Sequence, residues 1–308
     1  MILNPAFISI ASVTLVLISL ATFIGYILLR NNPNNETFKK VMVIIKSWWL
    51  IIGFILICLG FAPLGLLVGF GILSILGVIE FEKHTRVVEI KKHAIILTVT
   101  SVILQYLCLY YSLWSGFFAI PILFIYLGSA FIVIRAAKIE KVPEIFSHYA
   151  VLILTFHLLA YIPALYIFNL QKSTAEHSLY LMFFLILLTE LNDILQFICG
   201  KAFGRTKVFP LISPNKTGAG FIGGIIGITL LGGALFHTFA GFTLVKSCGL
   251  GLIISISGIM GDLSFSAIKR YLATKDFSNL LPGHGGVLDR LDSLIFTTPC
   301  VFYFLYFT

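Results

Sequence analysis

The chain has 308 residues, of which 59% are hydrophobic and only 11% charged, and its mean hydropathy is +1.03. Soluble globular domains carry roughly 25% charged residues, so this composition excludes a soluble protein and predicts an integral membrane one. The formal net charge of +8 comes without a basic patch interleaved with exposed aromatics, so no nucleic-acid partner is expected.

Apolar windows of about 17 to 25 residues mark membrane helices. They fall near 5–29, 49–62, 64–80, 94–111, 117–135, 149–169, 178–199, 219–240, 247–265 and 292–307. No Lys or Arg precedes the first run, which is also too long for a signal h-region, so a retained span is expected there. The second and third are short and separated by little more than Pro63, which leaves one re-entrant hairpin as the alternative. The expectation is an all-α polytopic protein of about ten spans. Residues 1–170 form an N-terminal helical scaffold, and 171–308 form a second region in which the polar groups gather.

Charge tests the count, because cytoplasmic loops are enriched in Lys and Arg. Ten spans put all but Lys172 and Lys246 of the 21 basic residues on one side. Among them are Arg30, Lys39, Lys40 and Lys46, then Lys83, Arg86, Lys91 and Lys92, then Arg135, Lys138 and Lys141. Both termini are then outside, in a multi-pass protein of the cell (inner) membrane. Trp48 and Trp49, beside Lys46, read as an interfacial anchor. His157 reads as a packing residue. The five cysteines lie in or at the ends of apolar runs without a CxxC, and read as core rather than as a metal site or a disulfide framework.

Spans of the first half are almost free of ionisable groups; those of the second are not. In LTELNDILQFICGKAFGRTK, the residues Thr189, Asp193, Gln196 and Gly200 share one helix face, flanked by Glu190 and Asn192. An acid at membrane depth is a functional candidate, and a structural hydrogen-bond network is the alternative. The loop that follows brings Lys201, Arg205, Lys207 and Lys216 to SPNKT at the start of a Gly-rich span, where helix-start amides suit an anion. No Walker loop is present. In the ninth span, Ser255, Gly258, Asp262, Ser266 and Lys269 share a face, and Arg270 follows. LLPGHGGVLDRLDSLIF then places Asp289 and Asp292 one turn apart at the start of the last span. Carboxylates of this kind suit Mg²⁺, which is bound through one or two acids and substrate phosphates. Helix capping is the competing role for either acid alone.

GDLSFSAIKRYLATKDFSNLLPGHGGVLDRLDSL resembles the signature of the phosphatidate cytidylyltransferases, the CDP-diacylglycerol synthases. NDILQFICGKAFGRTK with SPNKT resembles their upstream motif. The resemblance covers about 189 to 296 and implies transfer of a cytidylyl group from CTP to phosphatidate, releasing pyrophosphate. It implies Mg²⁺ on Asp262 and Asp289, with Asp292 beside them, a second cation such as K⁺, and a homodimer. Lys269, Arg270, Lys275, Asp276, His284, Gly285, Gly286 and Arg290 occupy signature positions implied to serve phosphates and nucleotide. Ser213, Lys216 and Thr217 match SPxKT, and Asp193 the upstream acid; Lys201 and Ser266 complete the expected substrate contacts. Two positions depart from the family pattern. Ala219 stands where members commonly carry an acid in KTxEG, and Phe265 where they carry one in GDLxES.

The implied chemistry suits the residues. Both substrates are polyanions, so charge neutralisation and positioning dominate, and an already ionised phosphate oxygen needs no general base. Three rivals share parts of the pattern. One is a family member weakened by Ala219 and Phe265, and another a polyprenol or phytol kinase-like enzyme. The third is a cation-coupled transporter running through Glu190, Asp193 and Asp262, although its polar groups would be expected on both sides and in two similar halves.

Overall fold

The computed structural model describes residues 4–84, 91–135 and 142–308, and the side chains at 91 and 131–135 fall outside that description. The described residues are helical: α1 (Pro5–Asn31), α2 (Glu36–Gly60), α3 (Leu64–His84), α4 (Lys91–Tyr110), α5 (Trp114–Arg135), α6 (Val142–Leu159), α7 (Tyr161–Lys172), α8 (Ala175–Phe203), α9 (Gly218–Phe239), α10 (Leu244–Tyr271) and α11 (Leu288–Phe307). Each of the ten expected spans coincides with a helix, the sixth being divided into α6 and α7. Eight spans, counting Val142–Lys172 as one, are long and apolar enough to cross a membrane, and Trp114–Ala130 of α5 is a shorter apolar helix. The first turns of α11 carry Asp289, Arg290 and Asp292, and that helix is not among the eight. The chain is a polytopic membrane protein.

Two expectations about α2 are corrected. The helix starts at Glu36, not near 49, because the Asn35 side chain accepts from the Thr37 and Phe38 amides (2.9 and 3.4 Å). Glu36 then pairs with Lys39 at 2.9 Å. Lys is a good helix former, so Lys39, Lys40 and Lys46 lie on helix rather than in a loop. At 25 and 21 residues, α2 and α3 are separate helices of about 37 and 31 Å at 1.5 Å per residue, and no re-entrant hairpin forms. Arg86, Lys138 and Lys141 lie outside the described residues.

Lipid gives helices no hydrophobic reason to associate, so close approach of small residues and polar contacts hold them. A Cβ added to Gly251 of α10 would sit 2.5 Å from the Ile228 carbonyl of α9, and one added to Gly261 would sit 2.5 Å from that of Asp292 on α11. Asn192 of α8 donates to the Ser255 carbonyl (3.1 Å) and accepts from the Ser255 hydroxyl (2.8 Å). Thus α8, α9, α10 and α11 close into one tight bundle. The first seven helices pack on it through α1, α6 and α7. Their core is aromatic, with Phe117, Tyr161, Phe168 and Phe302 in edge and tilted contact at 5.1–5.2 Å. His157 is buried there and bonded to Gln105. All five cysteines are free; Cys58 is buried and Cys300 exposed.

Candidate functional site

Two lysines organise the polar residues, each between two acids. Lys216 lies in the loop before α9. A short antiparallel bridge between Lys207 and Thr217 and the Val208 amide on the Lys216 carbonyl (3.2 Å) fix its backbone. The Thr217 hydroxyl caps α9 by accepting from the Gly220 amide at 3.2 Å. From there Lys216 Nζ donates to Asp193 Oδ1 and Gln196 Oε1 of α8, both at 3.0 Å. It also pairs with Asp262 Oδ2 of α10 at 2.7 Å. Burial opposes the ammonium charge, but the carboxylates of Asp193 and Asp262 outweigh it and raise the Lys216 pKa above the usual 10.5. This trio lines a polar cavity of about 230 Å³ together with Gln196, Ser213 and Thr217. The Asp193 side chain is 47% exposed, so the cluster is open.

Lys269, near the end of α10, donates to Asp289 Oδ1 at 2.9 Å and lies 3.8 Å from Asp292 Oδ2. Its neighbours are closed in. Asp289 Oδ2 accepts from the Phe277 and Gly286 amides, each at 2.8 Å, and its side chain is 2% exposed. Asp292 Oδ1 accepts from the Ser293 amide at 2.8 Å. Asp289 thereby ties α10, the loop and the first turn of α11 together.

The loop needs its glycines. Gly283 and Gly285 have φ of +77° and +83°, a region that costs other residues a Cβ clash. They let the Leu281 amide reach the Gly285 carbonyl at 2.8 Å. Glu80 of α3 fastens the far side. Its carboxylate accepts from the Ser278 hydroxyl (2.6 Å) and from the Val287 and Leu288 amides (both 3.0 Å), which are unsatisfied donors of the α11 N-terminus. A side chain at Gly286 would meet that carboxylate at 2.6 Å. Ser47 of α2 donates to the Pro282 carbonyl at 2.6 Å. Trp48 meets the buried His284 ring edge-on at 5.7 Å, so it packs against the loop. Only Trp49 is on the outer face, bonded to Thr22 at 3.0 Å. Burial, then the Arg290 charge, pushes the His284 pKa below 6.5.

The structure brings together Asp193, Ser213, Lys216, Thr217 and Asp262 on one side, and Lys269, Asp289, Asp292, Gly285 and Gly286 on the other. Asp292 is within electrostatic reach of both Asp262 and Asp193. Arg270 reaches the SPNKT loop through the Ile212 carbonyl at 3.4 Å, and Ser266 follows Asp262 by about one turn. Lys275 and Asp276 are exposed on the loop between α10 and α11. Lys201 extends over the Phe197 ring at 5.9 Å, and that ring lines the polar cavity. Arg290 and Glu190 share a separate, apolar cavity. Glu80 and Ser47 were not anticipated. The available signal for Glu80 was an acid retained near the end of an otherwise apolar span. Phe265, fully buried, packs on Phe277 and Phe296 at 6.2 and 6.5 Å. Ala219 lies in the first turn of α9.

Among the described residues no three acidic, His or Cys side chains converge as a ready metal cage. Mg²⁺ does not require one, since one or two carboxylates suffice when substrate phosphates and water supply the remaining oxygens. Asp262 and Asp292, on adjoining helices and facing lysines rather than a full set of amides, fit that mode.

Fold and site define a polytopic helical membrane protein with lysine–carboxylate clusters at helix ends. The chain matches the cytidylyltransferase family over residues 40–308. It belongs to that family. It is 39% identical over 147 residues to the phosphatidate cytidylyltransferase of Aquifex aeolicus, covering 48% of this chain and 54% of that one. The enzyme of the same name from Bacillus subtilis is 37% identical over 136 residues, covering 44% and 50%. The Escherichia coli protein YnbB is 44% identical over 142 residues, covering 46% and 48%. The matches span about half the length of these relatives.

Proposed function

We propose that the chain transfers the cytidylyl group of CTP to phosphatidate, giving CDP-diacylglycerol and pyrophosphate at the cytoplasmic face of the cell (inner) membrane. The observation that carries this reading is Lys216, held by Asp193 and Asp262 in an open polar cavity beside Ser213 and Thr217. A lysine whose partners include a half-exposed carboxylate can exchange them for phosphate oxygens. The Thr217 hydroxyl and the amides that start α9 add anion-binding dipoles. Lys269 fixes Asp289, and the Arg270 bond to the Ile212 carbonyl keeps the two clusters in register. The phosphatidate oxygen is ionised, so these residues need to position it and offset charge, not remove a proton.

Mg²⁺ held by Asp262 and Asp292, with Asp289 adjoining, would supply Lewis-acid stabilisation of the departing pyrophosphate. A second, monovalent cation and a homodimer belong to the same reading. The test is purified protein in lipid nanodiscs with α-labelled CTP, phosphatidate and Mg²⁺. Label should enter a lipid only when phosphatidate is present. Label entering a prenol, or no lipid at all while CTP binds, overturns the reading. For sidedness, cysteines placed at Asn34 and Asn279 should resist an impermeant reagent on intact cells, and one at Gln171 should react. Equal reaction of Gln171 and Asn279 positions contradicts it.

A further inference from the structure

Beneath the PGHGG loop lies a cavity of about 320 Å³ between α2, α3, α8 and α11. Its walls are Ile51, Phe54, Phe70, Leu73, Leu291 and Leu294, and its charged groups are Glu190 and Arg290. Neither lysine cluster uses it. Its rim includes Leu50, Ile72 and Leu280, which are 65%, 50% and 57% exposed. Leu50 and Ile72 belong to helices long and apolar enough to cross a membrane, so the cavity opens sideways toward the acyl region of a bilayer.

The other end is polar. Arg290 follows Asp289 on α11, and its buried Nε has no hydrogen-bond partner in the protein. A buried donor left unmatched is costly, and an anionic oxygen would satisfy it with a charge-assisted bond. Glu190 shares the cavity and its charge interacts with that of Arg290, yet the Nε donor stays unmatched. An apolar body open to lipid that ends in this donor therefore complements an apolar tail joined to an anionic head.

We propose that this cavity binds one acyl chain of a diacyl phospholipid with a phosphate monoester head, entering between α2 and α3 with its phosphate toward Arg290. The transfer reaction proposed above bears on it only through the identity of that lipid. The loop is then both a wall of the tail site, through Leu280, Leu281 and Val287, and the backbone partner of Asp289. Occupancy by a tail would brace the loop that carries the second lysine cluster.

The test uses the full chain in nanodiscs and a phosphatidate bearing a diazirine midway along one acyl chain, photolysed without CTP and mapped by peptide mass spectrometry. Cross-links should fall on Phe54, Leu73 and Leu291. Leu73→Trp should lower their yield about tenfold, the loss expected when roughly two methylenes are excluded from an apolar site. Leu73→Met, which conserves volume, should not. Diacylglycerol with the same tail should label the cavity at least about tenfold less, for want of a charge-assisted contact. The wild-type map does not depend on a variant folding. Cross-links confined to outer faces, such as Val16, Ile122 and Tyr126, overturn the site whatever the transfer assay gives. Equal labelling by the two lipids overturns the role of Arg290. A labelled cavity with no cytidylyl transfer removes the reaction and leaves the lipid site.

Discussion

Lys216 and Lys269 hold the same kind of position, one ammonium between two carboxylates, in opposite surroundings. Around Lys269 the Asp289 side chain is 2% exposed and bonded to two amides; around Lys216 the Asp193 side chain is 47% exposed and borders a cavity. Breaking a buried pair strands a charge that nothing else solvates, whereas the half-exposed Asp193 carboxylate can turn to water when its pair opens. The closed cluster therefore builds the loop, and the open one is the proposed substrate contact.

Removing the closed lysine should have the largest effect. Lys269→Ala leaves Asp289 buried without its cation, which costs about 3–5 kcal/mol. Thermal unfolding in detergent should shift well below wild type, with transfer lost at every CTP concentration. A wild-type melting temperature would break the comparison. Lys216→Ala should lower the melting temperature less than Lys269→Ala, because Asp193 is open to water, and lose a charge-assisted contact of about 1.5–3 kcal/mol. Steady-state kinetics should show a 10- to 150-fold fall in kcat/KM for CTP, the converted value of that energy.

Glu80→Gln sharpens the assignment of the loop. The amide retains one acceptor oxygen for three donors, so about 1–1.5 kcal/mol is expected, read as a roughly five- to tenfold slower transfer. Added CTP should not restore it. The smallest effect concerns acid. The folded pKa of His284 lies below its unfolded value of 6.5, so the unfolded chain binds the extra proton first. Stability should hold above that pH and decline as pH falls from about 6.5 toward the lowered folded pKa. His284→Gln should flatten the pH profile of the melting temperature in that range, and an unchanged profile would remove His284 as its source.

How much of this was legible in the sequence follows the same division. Spans were visible because length and apolarity are local properties. The shared faces of Asp193 and Gln196, and of Asp262 and Lys269, followed from the 3.6-residue period. Glu80 was not legible, because its partners Val287 and Leu288 lie more than two hundred positions away and no period encodes that meeting. The contact of Trp48 with His284 was hidden for a related reason. An aromatic beside a lysine at a helix end is an interfacial signal, but helix rotation is set by packing against neighbours, and His284 is such a neighbour. The α2 start was misplaced because three lysines read as loop when Asn35 and Glu36 had already begun the helix.

Amine footprinting tests the division between the clusters most directly. The protein, in nanodiscs of a lipid without free amines, is acylated with a water-soluble reagent with and without saturating CTP and Mg²⁺, and each lysine is quantified. Lys216 should react slowly in the free protein and be protected by CTP, while Lys269 stays unreactive in both states. A Lys216 indifferent to CTP, or a Lys269 that reacts and is then protected, would contradict the assignment of substrate contact to the open cluster.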